Sequence, residues 1–355
     1  MEIIREASVE IRAPKQEIVD KKMEVFYNPV MKMNRDFSVL ILKALEKKNM
    51  RIADPMAGSG IRGLRFLKEL NEDTIKEVWF NDKKANYEEY ISNNFELNNI
   101  KNKFKIFNED ANIFLIQNKP FDYIDIDPFG TPNPFLDAGC RALKDEGILA
   151  VTATDTSALC GSYPKACRRK YWAEPLRNEF MHEIGLRILI RKVQLMGLNH
   201  QRALFPIISY SADHYMRVYF EFRKGKKNMD LIYDLLGDFE YKTKIYGPLY
   251  KGEINNLELL KKMLEISEEK NKEFYDDKTR KLLKTLLEET KIPGIGFYDI
   301  HKLAKNYAGK EIPKFEFIFE ALRKNGFKAS RTHFSDTGIK SDANKEEFKK
   351  IYELL

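Results

Sequence analysis

The chain has 355 residues, 43% of them hydrophobic, with 18 Gly and 13 Pro; this is the composition of a folded protein of two or three domains and excludes a disordered or fibrous one. Three scattered cysteines (Cys140, Cys160, Cys167) with no Cys-x-x-Cys pair exclude a disulfide framework and argue against a cysteine-held zinc. The first residues are charged where a secretory signal needs an apolar run, and no stretch of about 18 apolar residues occurs, so a cytoplasmic protein without membrane contact is expected.

Net charge is +7, and it is unevenly placed. From Pro164 to Arg202 there are nine Lys or Arg against three acids, whereas 225–355 is nearly balanced, with 26 basic and 23 acidic residues. One basic stretch on a balanced chain points to a polyanionic partner; the alternative is a solvated helix face.

Along the chain, short strands are expected at Ser8–Arg12 and Met23–Tyr27, then a helix over Arg35–Lys47 with Asn34 as its cap. Strands and helices then alternate. Arg51–Asp54, Glu77–Asp82, Lys103–Phe107, Phe121–Asp127 and Gly147–Thr154 read as strands; Ile61–Leu70, Lys84–Leu97, Asn133–Leu143 and Glu174–Met196 read as helices. Such alternation implies a parallel sheet with helices on both faces. Ala203–Ser209 and Tyr215–Arg223 follow with a gap too short for a crossover helix, so they form an antiparallel hairpin. Five βα units closed by a reversed strand outline an α/β fold of the Rossmann-like methyltransferase type. A nicotinamide-binding domain lacks the reversed strand. Gly225–Asp230 is a polar break, dividing the chain into 1–224 and a smaller α+β domain over 225–355. The tail reads helix (Tyr298–Tyr307), helix (Lys314–Asn325), strand (Lys328–Phe334), loop (Ser335–Ser341), helix, which suggests a winged-helix-like unit.

Six places carry chemistry. Gly58-Ser59-Gly60-Ile61-Arg62-Gly63 lies between a strand and a helix, where glycines let a ligand approach the backbone at a helix N-terminus. Asp82 ends the next strand and can accept from both hydroxyls of an adenosine ribose. Asp54 ends the first strand, four residues before Gly58. It would repel a diphosphate and attract an amino-acid ammonium, which favours S-adenosylmethionine over a dinucleotide; the other reading is a turn cap. Asp110-Ala111 follows the third strand, where Asp110 either accepts from an adenine amino group or caps the next helix. Asp127-Pro128-Phe129-Gly130 closes the fourth strand at the ligand-binding edge of such sheets. It looks like the acid-Pro-Pro-aromatic motif of enzymes that methylate exocyclic amines. There a carboxylate and the next backbone carbonyl each accept one N–H, holding a poor nucleophile in line with the methyl group, while the aromatic ring stacks on the base. Beyond it, Arg168-Arg169-Lys170-Tyr171-Trp172 mixes cations with aromatics, which suits phosphates and bases. The five histidines show no ligand spacing, so no metal is expected.

Together, Phe26–Asp36 (FYNPVMKMNRD), Asp54–Gly63, Asp125–Pro132 (DIDPFGTP) and Tyr246–Tyr250 (YGPLY) resemble the tRNA (guanine-26, N2)-dimethyltransferases, archaeal type, over about the first 250 residues. The resemblance implies that Arg35, Arg62, Asp82, Asp110 and Ala111 bind S-adenosylmethionine, with the arginines near its carboxylate. It implies that Asp127 orients the guanine N2 with Phe129 against the base, and that a C-terminal domain helps to hold tRNA. Many such proteins carry paired cysteines before the GPL-aromatic motif; 225–250 has none, so no zinc is expected, and Tyr250 replaces the usual Trp. No obligate protein partner is inferred. The alternatives are another nucleic-acid amine methyltransferase, or a non-catalytic RNA-binding protein, against which three acids at three strand ends argue.

Overall fold

A computed structural model describes residues 2–13, 26–269, 272–305 and 312–355. β1 (Glu2–Glu6) and β2 (Val9–Ala13) form an antiparallel hairpin. The strand expected at Met23–Tyr27 lies mostly outside the described residues, and Phe26–Asn28 is irregular. Asn28 caps a 3-10 turn (Pro29–Met31) through Val30 N, so winding starts early and α1 runs Lys32–Leu45. Asn34 is therefore not a cap. It sits inside α1, fully buried.

The expected alternation follows: β3 (Met50–Asp54), α2 (Ile61–Glu69), β4 (Ile75–Asn81), α3 (Tyr87–Leu97), β5 (Phe104–Phe107), α4 (Ala111–Asn118), β6 (Phe121–Ile126), α5 (Asn133–Ala142) and β7 (Leu143–Ala153). Next come α6 (Thr156–Leu159), α7 (Pro164–Tyr171) and α8 (Met181–Asn199), then the hairpin of β8 (Ala203–Ala212) and β9 (Tyr215–Arg223). α8 starts later than the expected Glu174 because Glu174 exchanges backbone hydrogen bonds with Gly247 and Pro175 follows; the chain is extended there.

The strands form one seven-stranded sheet in the order β5-β4-β3-β6-β7-β9-β8. All neighbours are parallel except β9, which runs against both β7 and β8. This is the expected Rossmann-like α/β arrangement with a reversed final strand. Alternate residues of the central strands enter opposite cores. Tyr123, Ile148 and Tyr219 join Phe37 and Leu64 on the side of α1 and α2, whereas Ile124, Leu149 and Val218 join Phe114, Leu136 and Leu189 on the side of α4, α5 and α8.

Beyond β9 the polar break is the start of a helix, α9 (Lys226–Asp234). β10 (Leu236–Tyr241) and β11 (Lys244–Tyr250) form a hairpin, followed by α10 (Leu257–Glu268) and α11 (Asp277–Thr290). α10 and α11 send Leu260, Met263, Leu283 and Leu286 into the core that α1 caps. The end of the chain is β12 (Tyr298–Asp299), α12 (Ile300–Ala304), α13 (Phe315–Lys324), β13 (Ala329–Thr332), β14 (Ser335–Ser341) and α14 (Lys345–Glu353). The helix expected from Tyr298 thus opens as a strand, and its Tyr307 end lies outside the described residues. Ser335–Ser341, expected as a loop, is the middle strand of the sheet β12-β14-β13, where pairing on both sides satisfies its backbone. These last elements share a separate core around Ile318, Leu322, Ile339 and Phe348. Among the described residues no helix is long and apolar enough to cross a membrane.

Candidate active site

The glycine loop sits at the carboxyl end of β3. Gly58 and Gly60 have φ of +55° and +76°, a conformation that side chains disfavour. A Cβ on Gly58 would lie 3.1 Å from the Phe26 carbonyl oxygen, and that same oxygen accepts from Ser59 N at 3.1 Å. The Phe26–Asp36 motif thus forms the wall of the loop. Asp82 bridges Gly58 N (2.9 Å) and Lys84 N (3.1 Å), fixing the loop to the turn after β4.

Asp54 is buried, and its Oδ2 has no hydrogen-bond partner among the described residues. Burial pushes its carboxyl up to about 7; Arg62 opposes this, while the carboxylates of Asp125, Asp127 and Asp82 add to it. Ser59 Oγ and the Tyr87 hydroxyl are also buried without partners. An unsatisfied buried acceptor next to a glycine cradle fits a ligand that brings an ammonium, as S-adenosylmethionine does.

Asp110 caps α4, its Oδ1 accepting from Asn112 N at 2.8 Å and Ile113 N at 3.4 Å, and Ala111 is the buried first residue of that helix. Arg35 is buried and held by Glu6, Nε to Oε1 at 2.8 Å and Nη2 to Oε2 at 2.5 Å, with Asn28 O also accepting at 3.0 Å. Burial alone would raise the Glu6 carboxyl, but Arg35 and Arg65 bring it down to about 2. The β1–β2 hairpin therefore anchors Arg35, through a residue that sequence reasoning passed over.

Asp127 follows β6 and is half-buried. Its Oδ2 accepts from Arg62 Nη2. Arg62 Nη1 donates to Asn34 Oδ1 at 2.9 Å and Ser38 Oγ at 2.8 Å. Pro128 is buried and Phe129 is 52% exposed, with its ring edge-on to Phe26, centroids 4.5 Å apart. Gly130 and Thr154 exchange backbone and side-chain hydrogen bonds of 2.7 and 2.9 Å, which pins this motif to the end of β7.

The basic helix α7 borders the same edge. Asn133 Nδ2 donates to Lys170 O at 2.8 Å, and Tyr171 OH bonds Asp155 at 2.5 Å and Thr131 at 3.1 Å. Arg168, Arg169 and Lys170 are all exposed. Arg168 is paired with Glu174 (2.5 Å) and Lys170 with Asp155 (3.0 Å). Among the described residues no group of three or more His, Cys, Asp or Glu could hold a metal ion.

Sequence reasoning missed a buried polar layer under the site: Asn34 and Ser38 on α1, Tyr123 and Asp125 on β6, Thr152 on β7, Arg217 and Tyr219 on β9. The available signal was Arg217 itself, a charge inside the apolar strand Tyr215–Phe222, on the same side as Tyr215 and Tyr219.

A family model described as N2,N2-dimethylguanosine tRNA methyltransferase matches residues 7–238 and 236–353. The tRNA (guanine(26)-N(2))-dimethyltransferase of Methanobrevibacter smithii is 38% identical, the match covering 99% of this chain and 97% of that protein. The tRNA (guanine(26)-N(2)/guanine(27)-N(2))-dimethyltransferase of Aquifex aeolicus is 36% identical over 100% and 96%. The structure of Trm1 from Pyrococcus horikoshii in complex with S-adenosyl-L-methionine superposes with a TM-score of 0.86 at 33% identity, covering 99% of each chain.

Proposed function

The chain belongs to the N2,N2-dimethylguanosine tRNA methyltransferase family, and from that membership we propose that it dimethylates the exocyclic N2 of guanine 26 in tRNA, with Asp127 as the residue that orients the amine. It is an enzyme of S-adenosylmethionine-dependent methyl transfer to tRNA guanine. When bound, S-adenosylmethionine supplies a methyl group on a cationic sulfur; the N–C bond forms as the S–C bond breaks, and the nitrogen sheds a proton.

The chain's own residues do the rest. Asp54 accepts from the ammonium of the cofactor and Asp82 from its ribose. Gly58 and Gly60 allow close approach, and Asp110 with Ala111 borders the adenine. Arg35 and Arg62 bring positive charge toward the cofactor carboxylate, Arg62 also balancing Asp127. Asp127 and the Pro128 carbonyl each accept one N–H of the guanine amine. Phe129, with Phe26 against its edge, forms the aromatic wall for the base. An exocyclic amine inside folded tRNA must leave its stack to reach this edge. Arg168, Arg169 and Lys170 lie beside it and hold phosphates. Residues 1–224 carry the chemistry, and 225–355 hold the tRNA, ending in a winged-helix-like unit whose order is strand, two helices, two strands, helix. The enzyme works in the cytoplasm, without metal or an obligate protein partner.

Beyond the family, the reading rests on one arrangement: at the carboxyl ends of β6 and β3, the half-buried Asp127 stands next to the exposed Phe129 ring, and Asp54 keeps a buried Oδ2 without a partner among the described residues. Unmodified tRNA incubated with methyl-labelled S-adenosylmethionine should give labelled N2-methyl- and N2,N2-dimethylguanosine at position 26. Label at another nucleoside would overturn the substrate; label at guanine 27 would extend it. Asp127→Asn should abolish transfer and keep S-adenosylhomocysteine affinity within about threefold, since it alters the group that receives the guanine amine and leaves the cofactor cradle of Asp54, Gly58 and Asp82 in place.

A further inference from the structure

Beneath the site lie two cations and two anions in a connected chain. Arg217, fully buried on β9, holds Asp125 with both ends of its guanidinium, Nη1 to Oδ1 at 2.9 Å and Nη2 to Oδ2 at 2.6 Å. Its Nη1 also donates to Thr152 Oγ1 (2.8 Å), and its Nη2 to Ser38 Oγ (3.1 Å). Ser38 Oγ accepts from Arg62 Nη1 and lies 2.9 Å from the Tyr219 hydroxyl. Arg62 Nη2 reaches Asp127. Asp125 is thus the second carboxylate within reach of Arg62, its Oδ2 lying 3.4 Å from Nη1. Such a network is weak evidence of a purely structural role, because apolar side chains of similar volume often fill a core as well as buried ion pairs do.

We propose that Arg217 is a positioning residue for methyl transfer: by saturating Asp125 it leaves Arg62 free to hold Asp127 in the orientation that receives the guanine amine. This deepens the assignment of Asp127 above and rests on it. Asp125 competes for Arg62 whenever Arg217 is lost. Arg62 then turns from Asp127 to the buried Asp125, which keeps only the Tyr123 hydroxyl (2.6 Å) as a neutral partner, and Asp127 loses the bond that fixes its free oxygen toward the base. The antiparallel course of β9 sets this up, because it places Arg217 directly opposite Thr152, one strand away from Asp125.

The test separates turnover from binding. Arg217→Gln should lower kcat by about 100-fold while S-adenosylhomocysteine and tRNA dissociation constants stay within about threefold. Arg217→Lys, which keeps the charge without the two-armed grip, should fall in between. The deciding variant is Asp125→Asn with Arg217→Gln. Removing the competitor along with its partner should recover at least about tenfold of the lost kcat, a coupling that independent sites do not show. Full turnover in Arg217→Gln, or a double variant no faster than the single one at equal folded fraction, would overturn the proposal. Should Arg217→Gln fail to fold, Ser38→Ala decides: it cuts the link between the two arginines and should lower kcat by about tenfold with cofactor affinity kept, and unchanged kcat would overturn the proposal. If Asp127→Asn is itself active, the assignment of Asp127 falls; if it is inactive while the Arg217 and Ser38 variants turn over normally, only the positioning role falls.

Discussion

Asp54 couples the ionisation of the protein to that of its ligand. Its carboxyl, pushed up to about 7 mainly by burial, is protonated in much of the free protein at mildly acidic pH. The ligand ammonium loses its proton near pH 8. Cofactor affinity should therefore peak between about pH 7 and 8 and fall by up to roughly tenfold per unit below it. Calorimetric titration of S-adenosylhomocysteine from pH 5.5 to 9 checks this, and Asp54→Asn should erase the acid limb. The same shift has a consequence for stability. A raised folded value means that the native state binds the extra proton between about pH 4 and 7, so this group costs the free protein about 4 kcal/mol above that window. Asp54→Asn without ligand should then melt higher than the parent at pH 8, and the difference should shrink toward pH 4; a variant that melts lower at pH 8 would contradict the burial argument. Asp82 acts differently. It holds Gly58 N and Lys84 N as well as the proposed ribose hydroxyls, so Asp82→Ala should weaken cofactor binding by about 1–3 kcal/mol.

At the scale of elements, α7 and α1 show how neighbours revise a reading of composition. The run Arg168-Arg169-Lys170 offers three cations, but Glu174 and Asp155 already engage two of them. Neutralising all three should therefore weaken tRNA binding and reduce the slope of log affinity against log salt by fewer than three ion equivalents, with Arg169 contributing most. A slope that does not change would place the RNA path away from α7. Lys170→Ala alone should also slow catalysis, because Lys170 and Tyr171 together hold Asp155 beside the Gly130–Thr154 clasp. α1 was legible as an amphipathic helix from Phe37, Leu40, Ile41, Ala44 and Leu45; the first four are buried and Leu45 is half-buried. Its role in the site was not. Asn34, expected as the cap, lies inside α1 and is buried together with Ser38 one turn on.

Across the whole molecule, the C-terminal elements are tied to the rest by buried polar contacts. Glu289 on α11 is buried and accepts from His333 N at 3.1 Å and from the His333 ring. Glu183 on α8 accepts from Gly296 N at 2.9 Å. Burial alone would raise the Glu289 carboxyl, but His333 and Lys340 hold it below its ordinary value. Its contribution to stability is then present above about pH 4 and lost as pH falls through the depressed folded value. His333→Ala removes the ring partner of a buried carboxylate that keeps the backbone N–H of residue 333 and the nearby Lys340, and should cost about 1–3 kcal/mol near neutral pH. The difference in melting between parent and variant should narrow in acid, and equal melting at pH 7 would show that these remaining partners suffice.

The sequence by itself determined the alternation of strands and helices from β3 to β7, the reversed final strand, the cofactor class and the acids at the strand ends. Those features rest on local rules: periodicity, the conformational freedom of glycine, gap length, and the charge a ligand must meet at Asp54. Sequence reading failed where partners distant in the chain take over. Ser335–Ser341 read as a loop because its polar residues show no alternation, and it is a strand because β12 and β13 satisfy its backbone from both sides. Glu6, Ser38, Asp125 and Arg217 stand far apart in the chain, and only Asp125 lies in a recognisable motif. Only the tertiary structure decided that they meet, because a buried charge finds its partner by proximity across strands and helices, and that proximity is set by the register of β9 against β7 and the seat of α1 on the sheet.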